Sequence, residues 1–186
     1  MTPLETGPDG RLPVIDGRRT LLRAAGAVDG DREIAPASIL IDDRQVLAIG
    51  SPESVGGVED AVVLDLPDEV VTPALVNAHA HLDLTELGPM SCEDGFEHWL
   101  ERIRANRPSK ASEVTAAVTA GIDASTRGGV VAVGDIAGAL GFASATTLAD
   151  SLIGGVSFIE VFGIGQRTNH GLEGVRRARE FARSIP

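Results

Sequence analysis

The part of the sequence that follows Val70 alternates between short apolar segments and longer segments with apolar residues at helical spacing, and this alternation restricts the fold more than any other feature. The predicted strands are 70–78, which Pro73 interrupts, 130–134 and 156–162. The predicted helices are 96–103, a longer helix with its apolar face at 114–122, 144–153 and 172–184. Ser109 or Ser112 could cap the longer helix, and Gly128 and Gly129 are predicted to end it. Strands separated by helices form a parallel sheet, because parallel strands need crossover connections. The sequence therefore predicts an α/β fold with about three strand–helix units.

The length of the chain limits how that sheet can close. A closed barrel of eight strand–helix units takes roughly 250 residues, whereas the whole chain has 186 residues. We therefore expect either a small open α/β protein or a portion of a TIM-type (β/α) barrel.

The segment before Val70 has a different pattern. Residues 1–17 are polar and rich in proline and glycine, which predicts a loose leader without a secretory signal. Short apolar runs separated by turn residues follow, and they predict strands at 20–25, 37–41, 45–49 and 61–66. Asp42 and Asp43 lie between two of these strands and indicate a hairpin. The segment is too short for a complete sandwich, so its strands are expected to need partners from elsewhere.

Composition narrows the classes of function. The formal net charge of −11 disfavours nucleic acid and anionic membrane surfaces as partners, since both require clustered Lys and Arg. No run approaches the roughly 18 apolar residues of a membrane span. Cys92 is the one cysteine and cannot form an internal disulfide, which fits a reducing compartment. A cytoplasmic protein that acts on a small molecule is expected.

Two histidines at the end of the first predicted α/β strand are the main candidates for chemistry. His79 and His81 are two residues apart, so on a strand they point to the same face. They follow an apolar run, which places them at the carboxyl end of the strand, where parallel α/β folds assemble active sites. Two imidazoles suit zinc or iron. The alternative interpretation is two polar residues at the start of a loop.

The stretch 71–81, which reads VTPALVNAHAH, closely resembles the metal-binding segment of the amidohydrolase superfamily. In that family a Pro-Gly-Leu-Val/Ile-Asn/Asp-x-His-x-His pattern ends the first barrel strand. Segments 96–103 and 129–135 resemble the cytosine-deaminase and chlorohydrolase-like branch, which includes aminofutalosine deaminase relatives. After the leader at 1–17, the resemblance implies part of a small β-sandwich at 18–69 and the N-terminal portion of a partial TIM-type barrel at 70–186.

The same resemblance implies hydrolysis of a C–N bond, expected to be deamination of a nitrogen heterocycle by metal-activated water. His79 and His81 would hold a divalent metal, with zinc expected and iron as the alternative. Family members carry two further histidines and an aspartate on later strands, so the remaining ligands and the general base are expected beyond residue 186. His98 and His170 do not match those positions. We predict that His98 is an exposed or capping residue of its helix and that His170 is a loop residue before the last helix. The chain alone is therefore predicted to be inactive.

Three acidic residues are candidates for the surroundings of the metal. Asp83 has the strand parity of the histidines and is predicted either to line a substrate pocket or to form a local turn. Asp135 is predicted either to orient an imidazole N–H of His79 or His81 or to form a turn. Glu160 lies in a strongly apolar strand, where an unpaired carboxylate is costly. We therefore predict that it points inward, on the same side and end of the sheet as the histidines and Asp135.

Two alternatives to an ordinary enzyme remain open at this point. One is a non-catalytic truncated protein or interaction module with an incomplete metal site. The other is an active assembly in which a second chain supplies the missing half-barrel. The expected partners are accordingly a small-molecule substrate and either further copies of the chain, as a homo-oligomer, or a C-terminal half that completes the barrel.

Overall fold

The computed structural model describes residues 19–43, 45–138, 141–161, 163 and 165–184. The chain forms two compact units that divide between Pro73 and Ala74, whereas the division predicted from the sequence lies between residues 69 and 70. Strands and helices are both present, so the predicted mixed α/β class is confirmed. Within the described ranges, no helix has the length and apolar character needed to cross a membrane.

The first unit is a five-stranded sheet built around its first strand. Its elements are β1 (Thr20–Asp29), β2 (Arg32–Ile34), β3 (Ala37–Asp42), β4 (Gln45–Gly50), the short helix α1 (Pro52–Val55) and β5 (Val62–Val71). Strand β1 pairs antiparallel with β2 and β3 and parallel with β5, and β4 pairs with β3. The predicted hairpin is confirmed, because Asp42 lies opposite Gln45. Leu22, Ile39 and Leu64 belong to the buried core of this unit.

The prediction of a single strand over residues 70–78 is wrong. Val70 and Val71 are the last residues of β5 and pair with Gly26 and Ala27 in the first unit. The chain leaves that sheet before Pro73, which has no N–H to donate to a strand ladder. One apolar run in the sequence therefore contributes to two different sheets.

The second unit contains a three-stranded parallel sheet in the order β6, β7, β8. Its elements are β6 (Leu75–Ala80), a 3₁₀ helix (Leu82–Leu87), α2 (Phe96–Asn106), α3 (Ala111–Arg127), β7 (Val130–Ala137), α4 (Gly141–Ala149), β8 (Gly154–Ile159), a second 3₁₀ helix (Gly165–Arg167) and α5 (Thr168–Ser184). The three predicted strand–helix units are therefore present, in the predicted order. Because the strands are parallel, their carboxyl ends meet at one edge of the sheet.

One face of this sheet is covered by helices, and the other is open. On the covered face Val133 packs with Val118 of α3 and Leu148 of α4 in the buried core of the unit. Strand residues alternate between faces, so Val156 and Phe158 of β8 lie on the opposite face, where their side chains are exposed. These two faces are called the helix side and the open side below.

The amino end of α3 is capped differently from the prediction. Neither Ser109 nor Ser112 is the N-cap residue; Lys110 occupies that position. The Glu113 carboxylate accepts hydrogen bonds from the backbone N–H groups of Ser109 at 3.1 Å and Lys110 at 3.3 Å, and from Lys110 Nζ at 2.9 Å. A carboxylate in the first helical turn also interacts favourably with the helix dipole. The predicted end of the helix at Gly128 is confirmed.

These contacts predict a pH-dependent amino end of α3. The hydrogen bond from the Lys110 side chain, followed by those from the two backbone N–H groups, lowers the pKa of Glu113 from 4.5 to about 2. Because the pKa is lower in the folded state, the stabilisation is present above pH 4.5 and is lost as the pH falls towards 2. An NMR titration of the Glu113 carboxyl carbon should show this low pKa, and a Glu113→Gln variant should lose the acid-dependent change. A midpoint near 4.5 would contradict the capping role.

Candidate metal centre

His79 and His81 lie at the carboxyl end of β6, on the open side of the sheet. His79 is the penultimate residue of the strand, and His81 is the first residue after it. Ala80, which separates them, packs against the helix-side core, so both flanking imidazoles are directed to the opposite face. Their ring centroids are 5.4 Å apart and both residues are exposed. The sequence therefore places two accessible imidazoles together.

The separation of the two rings fits a shared metal ion. Two imidazoles bound to one tetrahedral zinc at Zn–N distances of about 2.0–2.1 Å have ring centroids roughly 5 Å apart. The neutral imidazole nitrogens are also the donor type that zinc and iron accept. Across the part of the chain that the structure describes, no group of three or more His, Cys, Asp or Glu side chains is placed to hold a metal. The imidazoles of His79 and His81 thus suit zinc chemically, but they supply only two of the three protein ligands that a catalytic zinc site takes.

A local irregularity in β6 precedes the histidines. The pairing of β6 with β7 shifts between Asn77 and Ala80, where β6 has one residue more than β7. The backbone of Ala78 approaches Gly134 so closely that a Cβ atom on Gly134 would lie 2.4 Å from the Ala78 carbonyl oxygen. Asn77 Oδ1 accepts a hydrogen bond from the His79 N–H at 3.2 Å. The glycine on the neighbouring strand and the asparagine side chain therefore both support the conformation that presents His79.

Asp135 lies beside the histidine segment but on the other face of the sheet. It pairs with Ala80 in the β6–β7 ladder and, like Ala80, points to the helix side, where it is completely buried. Its Oδ1 accepts from the Leu82 N–H at 3.1 Å, and its Oδ2 accepts from Ser144 Oγ at 2.7 Å and Ser157 Oγ at 3.0 Å. The predicted hydrogen bond to an imidazole is therefore wrong, because the carboxylate and the imidazoles lie on opposite faces of the sheet.

Asp83 is not on the strand. Strand β6 ends at Ala80, and Asp83 is a buried residue of the 3₁₀ helix, so the parity argument that placed it beside the histidines is wrong. Its Oδ2 forms an ion pair with Arg107 Nη2 at 3.0 Å, and its buried Oδ1 has no hydrogen-bond partner. A Cβ atom on Gly138 would lie 1.7 Å from the same Arg107 nitrogen. Asp83 therefore connects the segment after His81 to the end of α2, and a side chain at Gly138 would collide with this ion pair.

Glu160 lies at the predicted end of the sheet, and the direction of its side chain stays a prediction. Strand β8 ends at Ile159, and the Glu160 N–H donates to the Ala137 carbonyl oxygen at 2.8 Å, one step beyond the ladder. The residue is half-buried. The prediction places Glu160 on the same side of the sheet as the histidines and Asp135. Because the histidines and Asp135 face opposite sides, the Glu160 side chain can share a side with only one of them. Phe162, the predicted last residue of this strand, is outside the described residues.

The other two histidines are away from β6 in sequence and lie on helices. His98 is exposed on α2, and its Nδ1 lies 3.0 Å from the Asp94 carbonyl oxygen, in agreement with the predicted exposed or capping position. His170 lies in α5 and not in a loop, because that helix begins at Thr168, directly after the second 3₁₀ helix. Both are therefore useful as histidine controls.

Residues that the sequence patterns did not identify support this end of the sheet. They are Asn77, Arg107, Ser144 and Ser157. The Asn77 contact spans two residues, and a local Asx pattern could have indicated it. The other three act across 24, 9 and 22 residues, and no local periodicity predicts such pairs.

No protein-family model matches the chain, and no curated protein matches it significantly. Solved structures do match. The triazine hydrolase from Arthobacter aurescens is 19% identical, with a TM-score of 0.63, over 80% of this chain and 37% of that chain. The Helicobacter pylori aminofutalosine deaminase is 15% identical, with a TM-score of 0.66, over 90% and 41%. An adenosine deaminase from Xanthomonas campestris with bound zinc is 18% identical, with a TM-score of 0.62, over 87% and 38%.

These structures are those of amidohydrolase-superfamily members. The chain is similar in fold to the part of each structure that it matches. The resemblance to this superfamily is predicted from the sequence motif. It is confirmed at the level of the fold, over 80–90% of the chain. The chain spans 37–41% of the length of these three proteins.

Proposed function

We propose that the chain is the N-terminal portion of a metal-dependent amidohydrolase that hydrolyses a C–N bond, with deamination of a nitrogen heterocycle as the reaction. The observation that carries this proposal is the pair of imidazoles, 5.4 Å apart, at the carboxyl end of the first strand of a parallel sheet. The shared fold with a triazine hydrolase and two deaminases supports the same reaction class. In this proposal the second unit is the first part of a TIM-type barrel, and the first unit is part of a β-sandwich.

The role of this chain in the reaction would be to hold the metal and keep it accessible. His79 and His81 would each donate one nitrogen to a divalent metal, with zinc favoured and iron as the alternative. When bound, such a metal lowers the pKa of a coordinated water to about 7 and so supplies hydroxide at neutral pH. Both imidazoles are exposed on the open side of the sheet, so a substrate and further ligands can approach them. The remaining ligands and the general base would come from additional strand–helix units.

A second candidate function is that of an association module whose open side binds complementary strand–helix units. Val76, Val156 and Phe158 are exposed on that side, with 66%, 57% and 54% of their surfaces accessible. In an amidohydrolase barrel such residues would face the packed interior. The complementary units would come from the same polypeptide or from a second chain, and activity would depend on them.

Zinc titration of histidine variants tests the proposed metal centre. We expect one saturable binding event in the unmodified chain, and His79→Ala or His81→Ala should weaken the affinity by about tenfold or more, equivalent to about 1.4 kcal/mol or more. His98→Ala and His170→Ala are matched controls and should bind zinc as the unmodified chain does. Calorimetry measures the affinities. Equal affinities in all four variants would exclude the assigned site.

A further inference from the structure

We infer that Asp135 is a positioning residue for the proposed metal centre, and that it fixes His81 through the backbone of the next residue. This inference rests on the proposed function, because it concerns a metal held by His79 and His81. It differs from the predicted role of Asp135, in which the carboxylate would contact an imidazole directly.

The first step concerns the place of His81 between two elements. Strand β6 ends at Ala80 and the 3₁₀ helix begins at Leu82, so His81 is the junction residue, with φ −119° and ψ 81°. The Leu82 N–H belongs to the same peptide unit as the His81 carbonyl, and it donates to Asp135 Oδ1 at 3.1 Å. The orientation of that peptide unit determines where the chain turns, and hence the direction in which the His81 side chain leaves the backbone.

The second step concerns how firmly Asp135 itself is held. Its carboxylate is completely buried, and its second oxygen accepts from Ser144 of α4 and Ser157 of β8. The side chain therefore connects β7, the start of the first 3₁₀ helix, β8 and α4. Rotation of the carboxylate would leave buried polar groups unpaired, which is costly, so the network holds Oδ1 under the Leu82 N–H.

The third step distinguishes a backbone effect from a contact with the imidazole. Asp135 points to the helix side with Ala80, whereas His79 and His81 point to the open side. The carboxylate can therefore influence the metal centre by setting the chain path on the far side of the strand. Residues outside the ligand set that orient ligands typically change metal affinity by about 10- to 100-fold when they are replaced.

The decisive comparison is between Asp135→Ala and Asp135→Asn. Asp135→Asn keeps an oxygen acceptor for the Leu82 N–H, and its amide can donate to the two serine hydroxyls, which can rotate to accept. Asp135→Ala removes all three contacts. We expect zinc affinity, measured by calorimetry well below the unfolding temperature, to fall by about tenfold or more in Asp135→Ala and by less than about threefold in Asp135→Asn. Val118→Ala, a core truncation in α3, is the control for simple destabilisation and should leave the affinity unchanged.

Each outcome decides between the roles. Unchanged affinity in folded Asp135→Ala, or an equal loss in Asp135→Asn and Asp135→Ala, would overturn the backbone role. Should Asp135→Ala not fold by circular dichroism, the Ser144→Ala/Ser157→Ala double variant replaces it, with a loss of about threefold or more expected and unchanged affinity refuting the role. His81→Ala tests the metal centre itself in the same series. If that variant keeps full zinc affinity, the proposed function fails, whatever Asp135 does.

Discussion

The 186-residue chain, supplied with zinc, should turn over neither cytosine-like nor adenosine-like substrates at a rate near that of an ordinary enzyme. A catalytic zinc site takes three protein ligands and keeps one position for water. His79 and His81 supply two, and the described residues contain no cluster of three metal-binding side chains. We expect rates at least about a thousandfold below the typical range of roughly 1–10³ per second.

Ammonia release from the zinc-loaded chain measures this rate, and His79→Ala provides the background. The two proteins should give the same residual signal, because the metal site is incomplete in both. Turnover of about 1 per second that disappears in His79→Ala would show instead that the chain completes its own site. Recovery of activity on addition of the complementary strand–helix units would favour the association module.

The part of the site that is local in sequence could be predicted. An apolar run followed by two histidines with strand spacing predicts two imidazoles on one face, and the rings lie 5.4 Å apart. The strand–helix alternation predicts the parallel sheet, because crossover connections permit few other arrangements. Both inferences depend on residues that are close together in the chain, where periodicity carries the information.

The wrong predictions, for the strand at 70–78 and for the faces of Asp83 and Asp135, have a different physical origin. The run 70–78 is mostly apolar, and although Pro73 interrupts it, hydrophobicity alone does not show that the chain leaves one sheet at Val71 and enters another at Leu75. The faces of Asp83 and Asp135 could not be assigned, because both depend on where β6 ends and on its irregular register with β7. A shift of one residue exchanges the two faces of a strand. Side-chain assignments near strand ends therefore require the register, which the sequence pattern does not provide.

Replacement of Arg107 by alanine should destabilise the second unit by about 3 kcal/mol, since loss of one partner leaves a buried charge uncompensated. The Asp83 carboxylate is 5% exposed, its Oδ1 has no hydrogen-bond partner, and Arg107 Nη2 provides the ion pair at 3.0 Å. Removal of a buried partner costs roughly 3–5 kcal/mol. The lower value is expected here because the Arg107 side chain is 24% exposed and solvent screens part of the effect.

Arg102, in the helix α2 that Arg107 caps, provides a matched control. It pairs with Asp94 at 3.2 Å, but the two side chains are 37% and 74% exposed, so Arg102→Ala should cost less than about 1 kcal/mol. Urea unfolding followed by circular dichroism measures both changes. Equal losses in the two variants would contradict a special role for the buried pair.

The double variant Asp83→Ala/Arg107→Ala separates the pair from its neighbours. If the cost of Arg107→Ala comes mainly from an unpaired carboxylate, removal of that carboxylate as well should restore part of the stability, so the double variant should lose less than the sum of the single variants. Gly138→Ala should resemble Arg107→Ala, because its Cβ atom would displace the guanidinium that lies 1.7 Å away. Additive losses would mean that the two side chains contribute by independent packing. A loss in the double variant that is smaller than the sum would instead show that the ion pair between Asp83 and Arg107 holds the segment following His81 to the end of α2.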